Sequence, residues 1–442
     1  MMSRRPGDQF VESDTSPVAR RARGKVYLHV ILPLFITSII AYLDRVNLSY
    51  AGLKMNDDLQ FSDEVFGLGA GIFFAGYVLL EIPGALIAER YSPRWWLARI
   101  MLSWGLLSGL MAFVQTPFQF YVVRFLLGVA EASLYPVLYA SCIPRWFPPA
   151  ERPQAIAVML TSLQISSIIG APLAGWLLGQ SWLGFEGWQI LFLVEAIPAV
   201  LFAFVLVWWT ADTPAEARWL TAEERHYLEE RLAAGRASVD RHPRYTVAQA
   251  LANREVLKLA LTYFLWITGF WGATYWMPKV LKEQSGWSNL AVGWMLVIPM
   301  TLSLLVMLAI ARSSTITGEK RWHGACGLFV GAVGLMLGAW SGSQVTAYVA
   351  LCLALIGVYA PFGVWWSYPT TFLTGAAAAG AIGLINSLGN VGGFVGPYLT
   401  GYLKDKTGGY SAAWMLLAAS LALSGGLMLS LRQGSRGGVD EG

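Results

Sequence analysis

Long apolar runs dominate this chain. A helix that crosses the hydrocarbon core of a bilayer needs about 20 mainly apolar residues. Twelve segments reach that length: 27–50, 65–88, 95–114, 118–141, 154–179, 188–209, 256–281, 288–311, 322–341, 345–367, 377–403 and 411–431. Charged residues make up only 13% of the sequence, against about 25% in an ordinary soluble domain. A water-soluble fold of 442 residues could not hide a composition that is 56% hydrophobic. Lipid accepts it, and forces each crossing segment to satisfy its own backbone as a helix. The expected class is an all-α membrane protein with twelve transmembrane helices.

A polar segment at 210–255 divides the runs into six and six. The expected organisation is a tail at 1–25, a six-helix bundle at 26–209, a central loop at 210–255, a second bundle at 256–431 and a tail at 432–442. Within the central loop, Thr221 stands three residues before Glu224, a capping-box spacing that predicts a short surface helix. An internal repeat supports the division. Gly170-Ala-Pro-Leu-Ala-Gly-Trp-Leu177 and Gly396-Pro-Tyr-Leu-Thr-Gly-Tyr-Leu403 share a G-x-x-L-x-G-aromatic-L pattern at an offset of 226, which also pairs Gln164 with Asn390.

Loop charges fix the expected orientation. With the N-terminus inside, 24 lysines and arginines fall on the inner side and 5 on the outer, or 16 against 5 without the long central loop. The positive-inside rule then puts both termini in the cytoplasm. No signal peptide is expected, since the first apolar run is too long for a signal core. The three cysteines, Cys142, Cys326 and Cys352, lie in or beside apolar runs and suggest no disulfide framework. No metal-ligand motif, cofactor fingerprint or nucleic-acid signature is present, and no nucleophile–base pair argues for an enzyme.

The remaining ionisable residues carry the functional argument. Arg45, Arg124, Asp44, Glu81, Glu131 and Glu195 lie inside spanning segments, where a charge costs at least ~2.5–3.5 kcal/mol. Arg124 and Glu131 are seven residues apart, so an ideal helix brings them back to within ~20° of one face. An arginine at this depth can grip a carboxylate through its planar fork, and Asp44 or Glu131 can load and release a proton. Fixed salt bridges between helices are the alternative reading. Tyr42, Tyr77, Gln164, Trp271, Trp365, Trp366, Asn386 and Asn390 are the aromatic and amide candidates for a cavity wall.

Several stretches together resemble the anion:cation symporter family of the major facilitator superfamily. They are YLDRVNLSYA from Tyr42, GYVLLEIPGALIAERYSPRWWLARIMLSWG from Gly76, FYVVRFLLGVAEASLYP from Phe120 and RWFPPAERPQAIA from Arg145. The match continues with GWQILFLVEAIPAV from Gly187, DTPAEARWLTAEER from Asp212, TGEKRWH from Thr317 and INSLGNVGGFVGPYLTGYLKDKTG from Ile385. The resemblance implies the major facilitator fold, two pseudo-symmetric six-helix bundles, and proton-coupled uptake of a small organic anion such as tartrate, phthalate, 4-hydroxyphenylacetate or a sugar acid. It implies Asp44 and Glu131 as protonation sites, Arg124 as the residue coupling them, Arg45 as the contact to the substrate carboxylate, and Gln164 as a cavity residue. Protons are the coupling ion and no other cofactor is implied. The expected setting is the bacterial inner membrane, as a monomer.

Two departures from the family pattern stand out. The loop after the second helix keeps Glu89-Arg90 and Arg94 as a gating-loop candidate, but Ser92 and Pro93 replace a glycine and an arginine of G-x-x-x-D-R-x-G-R-R. Between the eighth and ninth helices, Ser314-Thr315-Ile316 stands where relatives often carry Ser-Asp-Arg. A proton-driven exporter of an anion or drug is the competing reading, although Gly170-Ala171-Pro172 is only a fragment of an antiport motif. A non-transporting membrane sensor is a third.

Overall fold

In lipid no water is available to a free N–H or C=O, so each apolar run closes its hydrogen bonds internally as a helix. The computed structural model describes residues 16–149, 151–239, 253–366 and 375–431. Residues 1–15 of the expected tail at 1–25, the expected tail at 432–442 and part of the central loop lie outside them. Eleven described helices are long and apolar enough to cross a membrane. The first six are Pro17–Leu59, Asp63–Arg90, Pro93–Phe113, Pro117–Trp146, Arg152–Leu177 and Gly187–Trp209. In the second half they are Arg254–Ser285, Asn289–Thr317, Arg321–Ala339, Gln344–Trp365 and Ser411–Leu429. The twelfth expected span is the 33-residue helix Gly375–Thr407, eleventh in order. No strand occurs among the described residues beyond the isolated bridge Trp182–Phe185.

Two boundaries differ from the sequence expectation. The first helix starts at Pro17, capped by the Ser16 hydroxyl, ten residues before the apolar run, because polar residues can extend a helix beyond the membrane. The fourth span is not one uniform helix. Its α-helix stops at Glu131, Ala132 turns extended, Ser133 takes a left-handed φ of 70°, and a π-helical stretch follows at Val137–Cys142. The local cause is Pro136, whose missing N–H leaves the Ala132 carbonyl without its i+4 donor. The Ser133 hydroxyl donates to that carbonyl instead, and Trp96 Nε1 donates to Ser133 Oγ at 3.0 Å. Gly84 makes room on the second span, since a Cβ there would come within 2.4 Å of Ser133 Oγ.

The bundles meet along three helix pairs: first with seventh, second with eleventh, and fifth with eighth. The last two pairs are equivalents under the repeat, and their backbone contacts reproduce the offset of 226. A Cβ on Gly67 would meet the Pro397 carbonyl at 2.6 Å, and one on Gly293 the Ala171 carbonyl at 2.3 Å. Likewise a Cβ on Gly401 would meet the Asp63 carbonyl, and one on Gly175 the Asn289 carbonyl at 2.6 Å. Small residues let helix backbones touch where lipid supplies no hydrophobic drive for association. These contacts seal the face opposite the chain termini. There Lys279 pairs with Asp63, Lys404 with Glu283 at 2.7 Å, and Asp405 Oδ2 accepts from the Glu64 N–H at 2.7 Å.

On the terminal face, the surface helix Ala222–Val239 sits against the start of the first helix. Thr221 and Glu224 exchange hydrogen bonds as a capping box. Glu224 also receives Lys25 at 2.7 Å, and Glu151 gathers Arg23 and Arg231 at 3.2 and 2.9 Å. The gating-loop candidates tie the first bundle to itself. Arg145 reaches Glu89 at 3.6 Å, the Arg94 N–H donates to Asp212 Oδ1 at 2.9 Å, and Arg90 lies over the Tyr91 ring. After the eighth span, Glu319 accepts from the backbone N–H of Trp322 and from the His323 ring, opening the ninth span.

Candidate functional site

Consecutive helical residues point about 100° apart, so Asp44 and Arg45 cannot face the same neighbour. Asp44 turns toward the third span, where Trp104 Nε1 donates to Oδ2 at 2.7 Å and the Ser108 hydroxyl donates to Oδ1. Arg45 turns inward between the two bundles. Its Nε donates to Glu131 Oε1 at 3.1 Å, and Nη2 reaches the same oxygen. Four rings enclose the guanidinium: Tyr77 at 5.0 Å, Phe73 and Tyr135 at 5.3 Å, and Trp271 at 5.9 Å. Each such contact is worth roughly 0.5–2 kcal/mol when desolvated, and the carboxylate offsets the remaining cost of a buried cation. Glu131 Oε2 has no hydrogen-bond partner among the described residues.

The seven-residue spacing puts Arg124 on the same helix as Glu131 but does not pair them. Arg124 donates through Nε to the Gly69 carbonyl at 3.1 Å and through Nη2 to the Tyr275 hydroxyl at 3.5 Å. The Phe73 ring touches both arginines, 4.8 Å from the Arg124 guanidinium and 5.3 Å from that of Arg45.

A cavity of about 590 Å³, counting the solvent at its mouth, lies beside Arg45. Tyr42, Arg45, Tyr77, Tyr135, Tyr139, Tyr263, Trp271, Trp366, Asn386 and Asn390 line it. The two bundles share its walls. Tyr42 closes one side by a hydroxyl–hydroxyl bond of 2.8 Å to Tyr359. Opposite, Asn386 and Asn390 donate to Glu81, the latter at 3.3 Å to Oε2. Ser387 donates to the same oxygen at 3.3 Å. Glu81 thus bridges the second and eleventh spans, one helical turn from Tyr77.

Several expected positions fall elsewhere. Gln164 and Trp365 do not line the cavity. Gln164 donates to Met307 Sδ at 3.2 Å across the fifth–eighth contact, because its helix face is turned to that partner. Trp365 is fully buried and stacks on Tyr263 at 5.3 Å, leaving the lining to its neighbour Trp366. Asp44, Arg124 and Glu131 stand behind the cavity surface. Sequence reading missed Tyr135 and Tyr139, which the break after Glu131 presents to the cavity; Pro136 was the available signal. It also missed the Glu81 bridge, whose partners lie more than 300 residues away in sequence.

A helical membrane protein of two duplicated bundles, with a buried charge pair at a shared central cavity, has the architecture of a secondary transporter. The sequence matches the Major Facilitator Superfamily model over residues 34–397. It is 41% identical to a putative tartrate transporter of Agrobacterium vitis, covering 92% of this chain and 94% of that one. It is 37% identical to a quinolone resistance transporter of Acinetobacter baumannii, covering 92% and 93%. The fold overlays on the partially occluded, inward-open xylose transporter XylE of E. coli with a TM-score of 0.74 at 13% identity, covering 93% and 99%. The chain belongs to the Major Facilitator Superfamily, whose members are membrane transporters and not enzymes.

Proposed function

We propose that this protein takes up a small organic anion, a carboxylate, together with protons by alternating access. The observation that carries this reading is Arg45. Among the described residues it is the cation on the cavity wall, it sits in an aromatic cage, and its single charged partner is Glu131. A neutral Glu131 would release the guanidinium, whose fork can then take the substrate carboxylate. Arg45 then faces one carboxylate at a time, and proton and anion bind together. The name of the tartrate relative supports an organic acid as substrate. The surplus of basic residues at the terminal face supports cytoplasmic termini in a bacterial inner membrane, and each chain holds a whole cavity, as a monomer requires.

The name of the quinolone resistance relative favours one second reading, proton-driven export. Proteoliposomes separate the two. An inward proton gradient should accumulate a hydroxycarboxylate inside against its concentration, and a protonophore should abolish this. Accumulation only when the proton gradient opposes substrate movement would establish export.

A further inference from the structure

Glu195 is a buried acid that the exchange between Arg45 and Glu131 does not use. It lies in the sixth span with 7% of its surface exposed, and neither carboxyl oxygen has a hydrogen-bond partner among the described residues. Its place is the crossing of the first, third and sixth spans. The next residue, Ala196, packs on Gly109, where a Cβ would meet it at 3.4 Å. Gly109 in turn follows Ser108, whose hydroxyl holds Asp44. Glu195 therefore sits beside the turn of the third span whose Ser108 holds Asp44. Asp44 is near enough for its carboxyl group to act on Glu195.

The two acids have opposite surroundings. Asp44 has a donor on each oxygen, which favours its charged form. Among the described residues Glu195 has no donor and no cation, and an uncompensated carboxylate at this depth costs several kcal/mol. Like-charged carboxylates at one site also resist joint ionisation. We infer that Glu195 is a proton-binding site, neutral in this state beside the hydrogen-bonded Asp44, so that a proton is stored outside the substrate cavity. Any role in coupling rests on the proton-symport reading; occupancy of the site does not.

Infrared difference spectroscopy on the purified full-length protein at neutral pH tests occupancy without substrate. The protonated-carboxyl band should lose one group's intensity in Glu195→Gln. It should persist in Asp44→Asn, shifted in frequency because a neighbouring carboxyl group is gone. An unchanged band in Glu195→Gln overturns the proposal, as does wild-type intensity that sodium titrates away, which would mark a metal-cation site. Should Glu195→Gln fail to fold, Glu195→Met provides the second measurement. A neutral, unpartnered acid tolerates an apolar side chain of similar volume, so Tm should equal or exceed the wild-type value; a large drop would mean that Glu195 is charged and paired. Failure of uptake in proteoliposomes with the band present would refute the transport reading and leave the proton site standing.

Discussion

The two bundles share a backbone plan and differ in chemistry. Gly67 on Pro397 and Gly293 on Ala171 are the same contact made twice. So are Gln164 on Met307 and Asn390 on Glu81, since both members of the second pair lie 226 residues from those of the first. Yet the buried charges Asp44, Arg45, Glu81, Arg124, Glu131 and Glu195 all belong to the first bundle, and among the described residues the second buries none in its spans. Helix packing constrains both copies because backbone contact leaves no room for a side chain. Charge is expensive in lipid and persists where a task holds it. The buried charges beside the cavity thus come from the first bundle, and the second offers a neutral wall of Trp271, Tyr263, Asn386 and Asn390.

If that contrast is right, the largest effect should come from Arg45→Lys. The ammonium keeps the charge but loses the fork and much of its ring contact. Losing a buried, hydrogen-bonded charge contact costs about 2–5 kcal/mol, so carboxylate affinity measured by calorimetry should fall by roughly 30-fold or more. Thermal stability should remain near wild type, since Glu131 keeps a cation beside it.

The duplicated backbone contacts offer a symmetric test. Gly67→Val and Gly293→Val should each force the sealed face apart, at about 1–3 kcal/mol. Labelling of single cysteines on that face should increase by similar amounts in the two variants. A large effect in only one would mean that the two contacts are not equivalent.

Glu81→Met gives the first bundle the residue that the second has at the equivalent place. Asn386 and Asn390 lose their acceptor, and each buried, unsatisfied amide costs about 1–3 kcal/mol unless the cavity's water reaches it. Tm should fall, while Met307→Glu, the mirror change, should leave Asn390 bonded to Glu81.

The smallest effect lies on the terminal face. Burial alone would raise the Glu224 carboxyl, but the Lys25 ammonium and the Thr221 N–H outweigh it and hold it below its ordinary value of 4.5. A depressed carboxyl stabilises the fold above that ordinary value, and its contribution disappears as pH falls through the lowered one. Acid should loosen the surface helix in that window by about 1 kcal/mol, the scale of an ion pair whose lysine end is still partly open to water. Glu224→Gln should remove the pH step, read by protease cleavage near residue 239.

Much of the fold was legible because lipid leaves an apolar run few choices: span length, loop charge and the offset of 226 all follow from local sequence. The site was legible only in its ingredients. Arg45, Glu131, Asn386 and Asn390 stood out as polar groups in apolar helices. Helical spacing matched Arg124 to Glu131, whereas packing gave Glu131 to Arg45 on another helix. A period of 3.6 residues says which side chains share a face, not which helix that face meets. Tyr135 was invisible for a related reason: the left-handed turn at Ser133 occurs without a glycine and resets the phase of everything after it.

The central claim is that Glu131 ties proton movement to Arg45. Glu131→Gln is the direct test, since it keeps the shape of the protonated acid and leaves Arg45 free. In proteoliposomes, counterflow exchange of a labelled carboxylate should survive, because it needs no net proton movement. Accumulation driven by a proton gradient should be lost. If the variant still concentrates substrate under that gradient, Glu131 is only the ion that holds Arg45 in place, and the proton must travel by another route.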